Sequence, residues 1–212
     1  SVMAEFAPAM IEALEATGET EARFILTPSV ARGGAELVVW NQELQAYDPD
    51  LVVLLMGLWE DRVVGEGADA APTWAQEYQA EVLGPFLDLV TGEGAKVLWV
   101  GMPAVRDDAA TARFATLNGA FAAAADARDD VDYLNGGQFV SAPEGGYTDL
   151  GVAPGSGATV RWRRVDGHHL CPDGVVAIGG PVLEAVAEQW NVGVGYGWQQ
   201  GAWRRPPLVH AP

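Results

Sequence analysis

Two hydrophobic rhythms alternate along the chain. From Val2 to Ala16 apolar positions recur at helical spacing, with Phe6, Met10 and Leu14 on one face, which predicts a helix ending near Gly18. Arg23 to Leu26 then predicts a short apolar strand, closed by Thr27-Pro28. Ala35 to Tyr47 returns to the helical pattern and stops at Asp48-Pro49-Asp50, because proline turns the residue before it away from helical geometry. Leu51 to Met56 is an unbroken apolar run, the signature of a strand buried on both faces of a parallel sheet.

The same alternation continues. Thr73 and Gln76 have the spacing of a capping box, opening a helix that carries Val82, Leu83, Phe86, Leu87 and Val90 and that Gly84-Pro85 is expected to kink. Lys96 to Val100 predicts a strand, Ala109 to Ala127 a helix, and Asp130 to Leu134 a weaker strand. Residues 135–165 are rich in glycine and proline and read as a long loop. Pro172 to Trp190 predicts a last helix interrupted at Gly179-Gly180-Pro181, and the Gly-, Trp- and Arg-rich stretch from Asn191 to Pro212 has no regular pattern. Strands alternating with helices of this length predict an α/β fold: a doubly wound, mostly parallel sheet with helices on both faces. Residues 1–190 read as one domain and 191–212 as an irregular tail packed on it or extending from it. In such sheets chemistry gathers at the carboxyl ends of the strands. That directs attention to 27–34, 57–67, 101–108 and the approach to the last helix.

Composition narrows the classes. With 49% hydrophobic residues in 212, the chain can bury a sizeable core. A net charge of −17 opposes binding to nucleic acid or anionic lipid. The single cysteine, Cys171, allows neither an intrachain disulfide nor a thiolate metal site. No apolar run approaches the ~20 residues of a membrane helix. The opening residues have neither the basic nor the apolar segment of a signal peptide.

Four places carry candidate chemistry. Asp166-Gly167-His168-His169 lies just before the last helix. An Asp and a His three residues apart on a loop can curl so that the carboxylate meets one imidazole nitrogen and leaves the other as a general base. The same four residues also read as an exposed polar turn; a metal site of Asp166, His168 and His169 is the weaker alternative. Ser1 stands at the mouth of the first helix, where the positive end of the helix dipole favours an oxyanion, and where serine also serves as an ordinary N-cap. Gly57-Leu58-Trp59-Glu60 follows the most apolar strand. Gly33-Gly34 lets backbone N–H groups approach a substrate oxygen closely.

Together these residues resemble the SGNH (GDSL-like) hydrolases. That family has a nucleophilic serine closing a Gly-Asp-Ser motif, an oxyanion glycine after the second strand, a Gly-x-Asn block after the third, and Asp-x-x-His before the last helix. Ser1-Val2-Met3 is similar to the tail of the first motif. Gly33 or Gly34 matches the second, Gly57-Leu58-Trp59-Glu60 the third, and Asp166 to His169 the fourth. Trp59 stands where many members have asparagine, and its indole N–H is also a donor. The Gly-x-Trp-Glu form of the third block, with Trp198, Gly201 and Trp203 in the tail, is closest to exported domains fused behind membrane sugar O-acyltransferases. The motif order implies a first strand preceding Ser1 and lying outside this chain.

What the resemblance implies is a serine esterase or O-acyltransferase working without a cofactor. The triad would be Ser1, His169 and Asp166, with an oxyanion site among Gly33, Gly34, Gly57 and Trp59. The substrate would be an acyl ester, of carbohydrate or glycan. The setting would be extracytoplasmic, with an upstream membrane acyltransferase region as the natural partner. The alternative is a non-catalytic carbohydrate- or partner-binding domain of the same fold.

Overall fold

A computed structural model describes residues 2–26, 30, 35–57, 60, 64 and 73–205. They fall into two compact units, Ile25–Tyr147 and Val2–Phe24 with the chain from Thr148 onward.

The first unit is a parallel sheet flanked by helices. Helix α1 (Val2–Glu15) belongs to the other unit; the elements here are α2 (Ala35–Tyr47), β1 (Leu51–Leu54), α3 (Trp74–Tyr78), α4 (Gly84–Thr91), β2 (Lys96–Val100), α5 (Asp108–Asp126) and β3 (Val131–Leu134). The strands run in the order β1-β2-β3, with Val53 opposite Leu98 and Trp99 opposite Tyr133. β2 is therefore the central strand, and Val97 to Val100 are all buried. β1 is shorter and less covered than its apolar run predicts: Leu51, Val52 and Val53 are half-buried and only Leu54 and Leu55 are enclosed. It has one neighbour among the described residues, and a strand's burial depends on its neighbours as much as on its composition. Trp99 gathers three helices around β2. Phe121 of α5 stacks on it at 4.1 Å, Phe86 of α4 meets it edge-on, and Trp40 of α2 packs edge-on against Phe86 in turn.

Local chemistry sets the ends of these elements. Asp107 caps α5 by accepting from the Ala110 N–H at 2.7 Å. Asp48 ends α2 in left-handed geometry. The predicted capping box at Thr73 does not form, because the Thr73 hydroxyl donates to Glu77 at 2.8 Å instead of accepting from the backbone. Nor is the expected kink a break. A π-helical turn, Gln79–Leu83, joins α3 to α4, and the Gly84 N–H reaches back five residues to the Gln79 carbonyl. The wider turn accommodates Pro85, which has no N–H of its own.

Arg23–Leu26 is not a strand. It pairs with no ladder among the described residues, and Leu26 is 68% exposed. A short run such as Phe24, Ile25 and Leu26 makes a strand only where a partner edge receives it.

In the second unit α1 packs on α6 (Pro172–Trp190), burying Phe6, Met10 and Leu14 as their spacing predicts. α6 runs uninterrupted through Gly179-Gly180-Pro181. Gly180 has no Cβ to clash with the proline ring. Gly179 is small because Trp198 and Phe6 lie against it: an added Cβ would meet them at 2.9 and 3.3 Å. The region read as a long loop contains a hairpin, β4 (Leu150–Val152) and β5 (Thr159–Arg161), antiparallel with Gly151 opposite Val160. Three-residue strands are too short to register as a period. Gly151 lies flat on the Trp162 ring, leaving no room for a side chain. The tail folds back on α1, where the Glu12 carboxylate accepts from the N–H groups of Ala202 and Trp203, both at 3.1 Å.

Candidate functional site

The loop before α6 is built as a closed hairpin tip. Arg163 and Leu170, both buried, form an antiparallel bridge at its base. The Arg164 N–H donates to the His169 carbonyl at 2.8 Å and the Cys171 N–H to the Trp162 carbonyl at 2.8 Å. At the tip the Gly167 N–H donates to the Arg164 carbonyl at 3.0 Å, with Gly167 at φ +75°, a turn conformation that favours glycine.

Asp166 organises this tip from inside. Its Oδ1 accepts from the backbone N–H groups of His168 at 2.8 Å and His169 at 2.9 Å, and its Oδ2 lies 2.8 Å from His169 Nδ1. The two backbone donors, His169's first, hold the Asp166 carboxyl well below the usual carboxylate range, and the imidazole adds to this against a small opposing effect of burial. The carboxylate thus fixes the tautomer that carries its proton on Nδ1, leaving the Nε2 lone pair outward. Nε2 has no hydrogen-bond partner among the described residues. The His169 side chain is 32% exposed, so a reactant can reach it. His168 differs: its Nδ1 lies 3.1 Å from the Asp166 backbone carbonyl, and among the described residues no carboxylate orients its ring. Of the two adjacent histidines, only His169 has the carboxylate–imidazole geometry of a general base.

The base of the loop is gripped from α1. Glu5 Oε2 accepts from the Leu170 N–H at 2.8 Å, and Glu5 Oε1 pairs with Arg164 at 2.8 Å. Burial pushes the Glu5 carboxyl up, opposed by the Leu170 N–H and the Arg164 guanidinium. Sequence reasoning missed Glu5. Its only local signal is an acidic residue in a first helical turn; its partners lie some 160 positions away.

Ser1, Gly33, Gly34 and Trp59 lie outside the described residues. Gly57 is described, at the carboxyl end of β1 with φ +156°. An added Cβ there would stand 2.4 Å from the Met102 side chain, so close packing accounts for glycine at this position. Three residues on, Glu60 is buried and its Oε1 accepts from the Val30 N–H at 3.0 Å. After β2, Asn118 fastens the 101–108 segment by bonding both the N–H and the carbonyl of Met102, and Thr111 does the same for Val105.

Cys171, next along from the loop, is not prepared as a nucleophile, since burial pushes its thiol up. No group of three metal-ligating side chains gathers among the described residues, and no helix among them is long and apolar enough to cross a membrane. No curated protein matches the chain. A family model does, and it spans the turn after β1 and the whole Asp166–His169 loop: the chain belongs to the family described as protein of unknown function DUF459, matched over residues 34–185.

Proposed function

We propose that the protein is a serine ester hydrolase or O-acyltransferase of SGNH type, acting on acyl esters of carbohydrate. The observation that carries this reading is the 2.8 Å contact between Asp166 Oδ2 and His169 Nδ1, made by a carboxylate that two backbone N–H groups keep ionised. In this mechanism the Ser1 hydroxyl attacks the acyl carbonyl while His169 Nε2 takes its proton. The tetrahedral oxyanion is met by backbone N–H groups at Gly33 or Gly34 and by the Trp59 indole. Its collapse expels the alcohol, which receives the proton from His169. Water or a sugar hydroxyl then attacks the Ser1 ester; His169 takes that proton and returns it to Ser1 as the acyl group leaves. Asp166 stays ionised throughout, orienting the imidazole and stabilising its charged form. A lost oxyanion donor would cost roughly 3 kcal/mol of transition-state stabilisation. The motif resemblance further suggests an extracytoplasmic setting behind a membrane acyltransferase region.

A fluorophosphonate probe tests the reading on the full-length protein. Labelling that is lost in Ser1→Ala and in His169→Ala is the expected result. Absence of labelling in the unaltered protein, or labelling that survives Ser1→Ala, would sink it and leave the non-catalytic binding domain in its place.

A further inference from the structure

A side chain of α1, Glu5, is bonded to the catalytic loop, and it sits one helical turn beyond the proposed nucleophile in sequence. Both oxygens of Glu5 are committed, Oε2 to the Leu170 N–H and Oε1 to Arg164, each at 2.8 Å. These two partners flank the Asp166–His169 tip on either side. Arg164 also donates through Nε to the Leu170 carbonyl at 3.2 Å, and its backbone N–H closes the tip onto His169. The Glu5 side chain is only 14% exposed, so its grip operates where water competes poorly. The neighbouring positions of helix α1 are anchored in the core, with Phe6 and Ala9 wholly buried.

We propose that Glu5 is a positioning residue: by clamping both stems of the loop to the first turn of α1, it sets the placement of the His169 imidazole relative to the residue that precedes that helix. This deepens the esterase reading and rests on it. A dyad correct in itself is of no use if it stands about an ångström out of place for its nucleophile, and such a misplacement lowers turnover on the order of 100-fold. The Asp166–His169 hydrogen bond keeps the dyad's internal geometry, whereas the Glu5 contacts tie the dyad to the helix that Ser1 precedes in sequence.

The same helix provides the control. Glu12, two turns further along, clamps two backbone N–H groups of the tail in the same way, far in sequence from the loop. In the full-length protein, Glu5→Leu is expected to lower kcat for 4-nitrophenyl acetate on the order of 100-fold with KM little changed. Glu5→Gln, which keeps a carbonyl acceptor for the Leu170 N–H, recovers most of the loss. Glu12→Leu lowers the melting temperature but not kcat. Equal kcat for Glu5→Leu and Glu12→Leu would overturn the inference. A second readout needs no turnover: by NMR, the Leu170 amide and the His169 imidazole proton exchange faster in Glu5→Leu and unchanged in Glu12→Leu. If the unaltered protein shows no Ser1-dependent turnover, the esterase reading fails and this NMR comparison alone decides the role of Glu5. Exchange at both protons unaffected by Glu5→Leu then overturns it.

Discussion

At the residue scale, two neighbouring histidines separate by one contact. His169 Nδ1 faces Asp166 Oδ2, while His168 Nδ1 faces a backbone carbonyl. His169→Ala is accordingly expected to lower kcat by on the order of 10⁴–10⁶-fold, and His168→Ala to leave most of it. Steady-state kinetics on both variants checks this; equal losses would point to a folding role for the pair instead. Asp166 carries a second expectation. Its folded-state pKa is depressed, chiefly by the His169 and His168 backbone donors. Such a carboxylate contributes stability that is fully present above its unfolded value near 3.8 and is lost as pH falls toward the folded value. Melting temperatures followed from pH 6 down to pH 2 should therefore fall less steeply in Asp166→Asn than in the parent. The spacing Asp-x-x-His made this dyad legible in sequence, since all its partners lie within three residues. The Glu5 clamp was not legible, because a side chain's long-range partner leaves no mark on its neighbours.

At the scale of elements, glycine shows how one residue type serves opposite ends. Gly119 lies in the exposed interior of α5 with nothing within 4 Å of an added Cβ. Gly119→Ala should stabilise the protein by about 1 kcal/mol through helix propensity alone. Gly179, also inside a helix, faces Trp198 and Phe6. Gly179→Leu should destabilise by roughly 1–3 kcal/mol through overpacking. Chemical denaturation of the two variants reads both signs. Periodicity located the long helices and β2 almost to the residue because each shows one face to the core for several turns or pleats. It failed at Arg23–Leu26, where strand character depends on a partner edge, and at β4 and β5, which are too short to repeat. It also read Gly179-Gly180-Pro181 as a break, whereas the helix runs through it, since Gly180 has no Cβ to clash with the proline ring.

At the scale of the whole molecule, a net charge of −17 on 212 residues repels itself in the folded state more than in the expanded chain. Raising ionic strength shortens the screening length to about 10 Å at 0.1 M and about 3 Å at 1 M. The melting temperature should therefore climb between 10 mM and 0.5 M sodium chloride in scanning calorimetry; a flat or falling trend would mean that local ion pairs such as Glu5–Arg164 outweigh the overall repulsion. What the sequence by itself determined is the α/β class, the span of the long helices, the strand Lys96–Val100 and the Asp166–His169 pair, because each rests on contacts or periods only a few residues long. Only the tertiary structure decided that β2 rather than β1 is the enclosed strand, that α6 passes through its Gly-Gly-Pro, and that Glu5 holds the base of the histidine loop. Each of those depends on what stands opposite in space, and residues 5 and 170 become neighbours only when the chain has folded.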